Sequence, residues 1–265
     1  MSKMYLQYCK DNKLEDVMAC LSEGVDVNAV SDNGRWSALT IAAHKNLPDL
    51  VELVLSQPGI KVNKTTDARA AGWSECQWTP LTFACHAGHS AIVARLVEVD
   101  GLAINYQDQY GDIACHWACM MGHTACVQVL ANTERADWNR RNMWGQTPLW
   151  LALSKGYHEI VNILVRQQGI AIDYSVRNNY GQSLAQVAVS GGSERCVESL
   201  AGRPDCLCWS VLDENGDTPA MAALKDDKRE IVEILVRCPR VDLSCRNSEG
   251  WSLLFRAIAE NEIGK

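Results

Sequence analysis

The feature that most constrains this chain is a pattern that recurs about every 34 residues. A helix-opening position returns at steps of 34, 42, 34, 34, 36, 35 and 34 residues. Its occupants are Lys3, Ser37, Thr79, Ile113, Thr147, Ser183, Thr218 and Ser252. Fourteen positions later stands a valine in each copy that reaches that far: Val17, Val51, Val93, Val127, Val161, Val197 and Val232. A unit this short cannot bury its apolar side chains alone, so we expect neighbouring units to stack.

One copy illustrates how each unit is expected to fold. Thr147 is placed to cap a first helix, and Pro148 stands where a helix has no partner for the N–H. Ala152 occupies a position that is alanine in seven of the eight copies, which lets a neighbouring helix approach closely. Gly156 tolerates the left-handed backbone of a helix-ending turn. A second helix follows over the apolar stretch 160–165, and then a polar loop projects as a hairpin, here called a finger.

The motif G-x-T-P-L-H-x-A-x-x-x-G-H at this period resembles the ankyrin repeat family. The segments "GQTPLWLALSKGYHEIV" (145–161) and "WTPLTFACHAGHSAIV" (78–93) match it closely, and looser copies extend the resemblance over essentially the whole chain. The resemblance implies an all-α ankyrin-repeat solenoid, built from stacked helix-turn-helix units with hairpin fingers. It also implies a concave face that binds other proteins.

The register predicts a single ankyrin-repeat domain over residues 1–265. The predicted repeats are approximately 1–34, 35–76, 77–110, 111–144, 145–180, 181–215, 216–249 and an incomplete 250–265. The first copy is polar and lacks the motif residues, as expected of an N-terminal cap. The long step reflects extra residues in an enlarged finger at 64–77. The valine of the last copy would fall one position beyond Lys265, so we expect the natural protein to continue.

Composition narrows the setting and the partners. No stretch approaches the ~18 apolar residues of a membrane span, and the N-terminus has no apolar secretion signal. The twelve cysteines of such a chain are expected to be reduced, inside the cell, in cytoplasm or nucleus. A net charge of -7 without a lysine–arginine block argues against nucleic acid and is compatible with a basic partner. We expect a monomer that contacts no membrane.

Cysteine and histidine stand side by side at Cys85–His86 and Cys115–His116, as in a nucleophile–base pair. The register gives another interpretation, because both thiols fall on first-helix positions that are apolar or alanine in other copies. The resemblance assigns His116 to the T-P-L-H motif, and His89 and His123 to scaffold positions that hydrogen-bond the backbone. We therefore predict that the chain is not an enzyme and has no catalytic residue or cofactor.

Two further motifs are weighed against the scaffold. Four cysteines, at Cys206, Cys208, Cys238 and Cys245, could form a zinc site, but their spacing fits no known ribbon or finger pattern. We interpret them as core and loop thiols and predict no metal. Asn28 and Asn139 occupy a position where ankyrin asparagines are sometimes hydroxylated. The favoured interpretation is that each bonds the backbone and stabilises its turn.

The leading functional prediction is a non-catalytic module that binds an extended peptide or loop of a partner protein on its concave face. One alternative is a substrate-receptor part of a ubiquitin ligase or another enzyme complex. Another is a reader of a basic or methyl-lysine tail, recognised by aromatic and acidic residues. An enzyme is the least favoured class, because no catalytic set remains outside the scaffold positions.

The predicted partner-binding surface combines the finger tips with the exposed side of the first helices. Tyr110, Trp144 and Tyr180 each stand just before a finger glycine, at steps of 34 and 36 residues. The full predicted surface is Trp78, His86, Tyr110, Asp112, Met120, Met121, Met143, Trp144, Gln146, Trp150, Ser154, Lys155, Tyr180, Glu214 and Asp217. Its aromatic residues would supply contact area and its acidic residues would attract a basic ligand. Each aromatic could instead pack on a neighbouring finger.

Overall fold

Pairs of short helices dominate the computed structural model, which describes residues 1–32, 34–67, 77–203, 208–239 and 241–263. Contacts divide the chain into two compact units, Met1–Asp137 and Trp138–Lys265. The first unit contains α1 (Ser2–Lys10), α2 (Leu14–Ser22), α3 (Ala38–Lys45), α4 (Pro48–Leu55), α5 (Pro80–Ala87), α6 (Ser90–Val97), α7 (Ala114–Met120) and α8 (Thr124–Ala131). The predicted all-α repeat class is confirmed.

The second unit repeats the same arrangement. It contains α9 (Pro148–Ser154), α10 (His158–Arg166), α11 (Leu184–Ser190), α12 (Glu194–Ala201), α13 (Pro219–Lys225), α14 (Arg229–Arg237) and α15 (Leu253–Ile263), with a 3-10 turn at Cys208–Ser210. In each unit the first helices pack in sequence, α1 to α3, α5 and α7 in one and α9 to α11, α13 and α15 in the other. None of the helices that the structure describes is long and apolar enough to cross a membrane.

The first helices begin and end as the sequence predicts. Thr79, Thr147 and Thr218 each accept the backbone N–H three residues on, at 3.2–3.3 Å, and Ser37 and Ser183 do the same. The following turns adopt positive φ at Asn12, Asn46, Gly88, Gly122, Gly156, Gly192 and Asp227. The repeat register predicts that Asn261, at the turn position of the last copy, ends a first helix. This prediction is wrong, because α15 continues through Asn261 to Ile263.

Small side chains form the centre of each unit. The repeated alanines are fully buried at Ala42, Ala84, Ala118, Ala152, Ala188 and Ala223. With no side chain beyond Cβ, they allow one first helix to lie close to the next. Gly191 extends this packing, because a Cβ atom there would lie 2.4 Å from the backbone oxygen of Leu153. The backbones of neighbouring first helices therefore lie close to each other.

A ladder of asparagine side chains joins successive repeats within each unit. The Nδ2 of Asn28 donates to Gly59 O at 2.9 Å, and its Oδ1 accepts the N–H of Lys61 at 2.8 Å. The same two bonds recur at Asn63, Asn105 and Asn139, at 2.7–2.9 Å. Each side-chain amide thus bonds the backbone of the next repeat through both its Nδ2 and its Oδ1. This supports the structural interpretation of Asn28 and Asn139. Hydroxylation of these residues stays the less favoured hypothesis.

The enlarged finger is described at its two ends. Strand β1 (Thr66–Asp67) pairs antiparallel with β2 (Gln77–Trp78), and Thr66 lies opposite Trp78. Alternation along β2 leaves Gln77 exposed and turns Trp78 into the protein. The remainder of this finger, 68–76 with Trp73, lies outside the described residues.

Candidate functional site

Five of the described fingers are each shaped by one Asp or Asn side chain. Its Oδ1 accepts two backbone N–H groups, two and four residues further along the chain. For Asn142 the donors are Trp144 and Gln146, at 3.1 and 3.0 Å. The same pair of bonds forms at Asp108, Asn178, Asp213 and Asn247. At the predicted aromatic positions, the backbone N–H therefore donates to the Asp or Asn side chain, as in an Asx turn.

In the second unit, two adjacent fingers are bonded to each other. The Asn179 side chain donates to Met143 O at 2.8 Å, and its backbone N–H donates to Trp144 O at 2.9 Å. The exposed fractions are 56% for Met143, 36% for Trp144 and 62% for Tyr180. These three residues, here called the fingertip patch, form an apolar surface on a backbone that is already ordered.

In the first unit, the predicted residues are less exposed. Tyr110, Met120 and His86 are half-buried, and Met121 is 40% exposed at the end of α7. The remaining predicted residues of the second unit are half-buried at Gln146, Trp150 and Ser154, and exposed at Lys155 and Glu214.

Three predicted contact residues belong to the interior. Trp78 is fully buried, and the side chains of Asp112 and Asp217 are also enclosed. Trp78 donates its Nε1 to Asp108 Oδ2 at 3.1 Å and meets the Trp117 ring edge-on at 4.6 Å. Because their side chains face the core, these three residues cannot contact a partner. Their prediction as contact residues is wrong.

Asp217 has a specific internal partner. Its Oδ1 accepts Nη1 of Arg256 at 2.6 Å and Nδ2 of Asn247 at 3.0 Å. The Asp217 side chain is 5% exposed and that of Arg256 is 15% exposed. The carboxylate thus neutralises a cation of its own chain, and it is not available to attract a basic ligand.

The cysteine–histidine pairs are packed into the scaffold. Burial raises the pKa of the Cys85, Cys115 and Cys119 thiols, which keeps them protonated and poorly nucleophilic. His89 and His123 lie 3.0 Å from the carbonyl oxygens of His44 and His86 through their Nε2 atoms, as the resemblance implied. Cys206 and the Cys208 side chain lie outside the described residues; within them, no cluster of three metal-ligating side chains occurs.

His86 lies between two indoles, 4.9 Å from the Trp78 ring and 5.5 Å from the Trp117 ring. Burial, and secondarily the neighbouring His44 and His123, lowers its pKa to about 4. Between pH 6.5 and 4 the unfolded chain therefore binds a proton at this residue that the folded chain does not. We expect the stability of the first unit to fall across that window by roughly 1–2 kcal/mol from this half-buried group.

Urea unfolding at pH 7, 6, 5 and 4 measures this effect. Other groups contribute to the pH dependence of stability, among them His44, whose pKa is lowered by burial. The informative quantity is therefore the difference between wild type and a His86→Leu variant. The variant should lose stability less steeply as the pH falls. Parallel curves for the two proteins would show that the protonation of His86 is not linked to folding.

A groove of about 510 Å³ opens in the second unit, between two fingers and the first helices α11 and α13. Tyr180 and Glu214 of the predicted surface line it, and so does the largely enclosed Asp217. So do Leu212, which is 42% exposed, and Lys225, neither of which was predicted. The sequence contains a signal for Leu212, because three of the equivalent finger positions are Arg141, Arg177 and Arg246, and the other two are Val30 and Gln107.

Comparisons with known proteins identify the family of these repeats. The family model described as "Ankyrin repeats (3 copies)" matches residues 66–142 and 134–209, which together span more than half of the chain. The crystal structure of the ankyrin repeat domain of Bcl-3, a member of the IkappaB protein family, superposes with a TM-score of 0.68. It shares 23% sequence identity and covers 83% of this chain and 92% of its own. No curated protein sequence matches. The chain belongs to the ankyrin repeat family.

Proposed function

We propose that this chain is a non-catalytic module that holds an extended segment of a partner protein against its fingers and first helices. Ankyrin repeats are generally protein–protein interaction modules. The free cysteines of the described residues, such as Cys85 and Cys115, are compatible with a reducing compartment inside the cell. The proposed partner is therefore an intracellular protein.

The observation that carries this proposal is the fingertip patch of the second unit. Met143, Trp144 and Tyr180 expose apolar surface, although the fingers that bear them are fixed by hydrogen bonds of Asn142, Asn178 and Asn179. An aromatic residue on an ordered backbone loses little conformational entropy when it is covered, so it is suited to be a binding hot spot. A solvent-exposed patch of this kind favours contact with another protein.

Capture of partners from a cell extract, followed by mass spectrometry, tests the proposed role. The wild-type chain and the double variant Trp144→Ala/Tyr180→Ala would be used side by side as bait. Proteins retained by the first and lost by the second are candidate partners. An identical set of retained proteins for both baits would remove the fingertip patch from the proposal.

With such a partner in hand, we expect Trp144→Ala and Tyr180→Ala each to weaken binding by about 1–3 kcal/mol, the range of an aromatic hot spot. The melting temperature should change little because both side chains are exposed. Calorimetry measures the affinity and circular dichroism the melting. Val236→Ala, on the exposed side of α14, removes a side chain of 47% exposure away from the fingers and should bind as wild type.

Tyr110→Ala extends the same test to the first unit. Tyr110 has the position of Trp144 in its repeat and the same Asx turn, here made by Asp108. If the partner segment reaches this finger, the substitution should also weaken binding by about 1–3 kcal/mol. A variant that loses stability together with binding would mean that Tyr110 serves the scaffold.

A further inference from the structure

The two fingers that bear the fingertip patch contain no carboxylate. One runs over residues 141–146 and the other over 177–182, and their charged side chains are Arg141 and Arg177. The fingers before and after them in the sequence differ, since 107–112 has two aspartates and 212–217 has two aspartates and a glutamate. The net charge of -7 is therefore unevenly distributed, and the fingertip patch lies in a basic part of an acidic chain.

Both guanidinium groups are held in place by backbone carbonyls. Arg177 donates from Nη1 to Gly181 O at 2.8 Å. Arg141 donates from Nε to Gly145 O at 3.3 Å and from Nη2 to Arg177 O at 2.7 Å, so it also joins the two fingers. Both side chains are exposed but already oriented, so each loses little conformational freedom when it forms a further bond.

Both arginines keep hydrogen-bond donors for a partner. Of the five N–H groups of a guanidinium, the bonds above use two of Arg141 and one of Arg177. Among the residues that the structure describes, neither guanidinium forms a salt bridge. The remaining donors include Nε and Nη2 of Arg177, which lie on one edge of the group and match the two oxygens of a carboxylate.

One carboxylate of the chain acts on Arg141 from outside these two fingers. The pKa of Asp173 is lowered by hydrogen bonds from Ser175 and, to a smaller extent, by the charge of Arg141. Asp173 Oδ1 accepts the backbone N–H and the hydroxyl of Ser175, at 2.9 and 2.6 Å. Asp173 thus serves its own turn, and it balances the charge of Arg141 only in part.

The row of arginines is interrupted after Arg177, because the next finger has Leu212 at the same position. The 510 Å³ groove between these two fingers contains both signs of charge, since Arg177 and Lys225 line it together with Asp213 and Glu214. Such a lining favours neither an acidic nor a basic occupant. The excess of positive charge lies instead on the two fingers of the fingertip patch.

We infer that the partner segment that covers the fingertip patch is acidic. An apolar side chain of the segment would lie on Trp144 and Tyr180. Aspartate or glutamate residues beside it would accept hydrogen bonds from Arg141 and Arg177. This inference rests on the proposed binding of a partner segment at the fingers, and it specifies the chemistry of that segment.

The local charge thus points to a different partner from the charge of the whole chain. A net charge of -7 is compatible with a basic partner. Exposed charges act mainly within a Debye length of about 8 Å at physiological salt, so the groups beside the patch decide which ligand is attracted there. Those groups are Arg141 and Arg177.

Selection of random dodecapeptides displayed on phage tests the inference without a known partner. The wild-type chain is the target, and peptides that also bind the variant Trp144→Ala/Tyr180→Ala are removed. The remaining peptides should combine aspartate or glutamate with a large apolar residue. Enriched peptides that are basic, or that lack acidic residues, would overturn the inference alone. No enrichment at all would count against the fingertip patch and therefore against both the inference and the proposed function.

The variant Arg141→Gln/Arg177→Gln removes both charges and retains a donor for each finger glycine. Gln107 shows that glutamine serves this position, because its Nε2 donates to Gly111 O at 3.0 Å. Circular dichroism and the melting temperature should therefore remain close to those of the wild type. The affinity for a synthetic copy of a selected acidic peptide, measured by calorimetry, should fall about tenfold.

Arg246→Gln is the matched control for the loss of an arginine. Arg246 is exposed and donates to Gly250 O at 2.7 Å in the same way, but its finger is not part of the fingertip patch. This variant should bind the acidic peptide as the wild type does. A peptide with asparagine and glutamine in place of its acidic residues should bind the wild type about tenfold more weakly. Unchanged affinity of Arg141→Gln/Arg177→Gln for the acidic peptide would overturn the inference.

Partner capture separates this inference from the proposed function. An acidic partner segment requires that the partner retained by the wild type be lost or weakened in Arg141→Gln/Arg177→Gln and kept in Arg246→Gln. Loss of the partner in Trp144→Ala/Tyr180→Ala but full retention in Arg141→Gln/Arg177→Gln would reject the acidic segment and leave the proposed function standing.

Discussion

Trp78→Ala is expected to lower the free energy of unfolding by about 3–5 kcal/mol, the range for removing a large aromatic side chain from a core. The ring is fully buried and meets Trp117 at 4.6 Å and Phe83 at 5.2 Å, both edge-on. Its loss leaves a cavity between helices α5 and α7 and removes one of the two indole N–H donors of Asp108. Urea unfolding followed by circular dichroism measures the loss.

A conservative variant separates the ring from its hydrogen bond. Trp78→Phe retains much of the packing but cannot donate to Asp108, which still receives Nε1 of Trp117 at 3.1 Å. Its expected cost is smaller, about 1–2 kcal/mol. If Trp78→Ala costs less than about 1 kcal/mol, the side chain is not part of the core in solution. The prediction that Trp78 belongs to the partner-binding surface would then stand.

The repeat register was a reliable guide to the backbone because each unit is determined by local chemistry. Thr147, Gly88 and Ala84 stand where a helix must be capped, where a left-handed turn is needed and where two helices approach each other. Each of these requirements is set by the residues of one repeat and its neighbour, so it can be recognised in the sequence. Asn261 is the exception, since an asparagine permits a turn without requiring one, and α15 continues past it.

The binding surface was harder to predict, because exposure depends on position within the repeat. Trp78, Asp112 and Asp217 all stand immediately before a helix-opening residue, and all three are buried. Tyr110, Trp144 and Tyr180 stand three positions before that residue, where the finger turns over. Reading Trp78 as an extension of the aromatic row therefore combined two different positions. The position within the repeat does not settle exposure by itself, because Gln182 and Trp251 share the position of Trp78 and are exposed.

Recognising the groove of the second unit required both the sequence and the structure. That Leu212 interrupts a run of arginines is visible in the sequence, but its importance appears only when the arginines are seen to bond the finger glycines. That Glu214 is exposed while Asp217 is paired depends on Arg256, a residue 39 positions away. Charge balance of this kind is a property of the folded chain, and composition alone does not predict it.

Arg256→Met should be as damaging as a change in the aromatic core, with an expected loss of about 3–5 kcal/mol for breaking a buried ion pair from one side. The Asp217 side chain is 5% exposed and, among the described side chains, would keep the amide of Asn247 as its partner. Its carboxylate would then be a buried charge without a counter-ion, and methionine replaces the arginine stem without supplying a donor. Urea unfolding of the variant measures the loss.

Arg237→Met is the matched control, because the Arg237–Glu233 pair has exposed side chains, at 78% and 64%, and should contribute less than about 1 kcal/mol. The double variant Asp217→Asn/Arg256→Met tests the mechanism, since a neutral amide needs no counter-ion and can still accept from Asn247. It should recover a large part of the loss, which a purely steric role of Arg256 would not allow. If Arg256→Met costs no more than Arg237→Met, the buried pair of Arg256 and Asp217 does not contribute to stability in the way argued here.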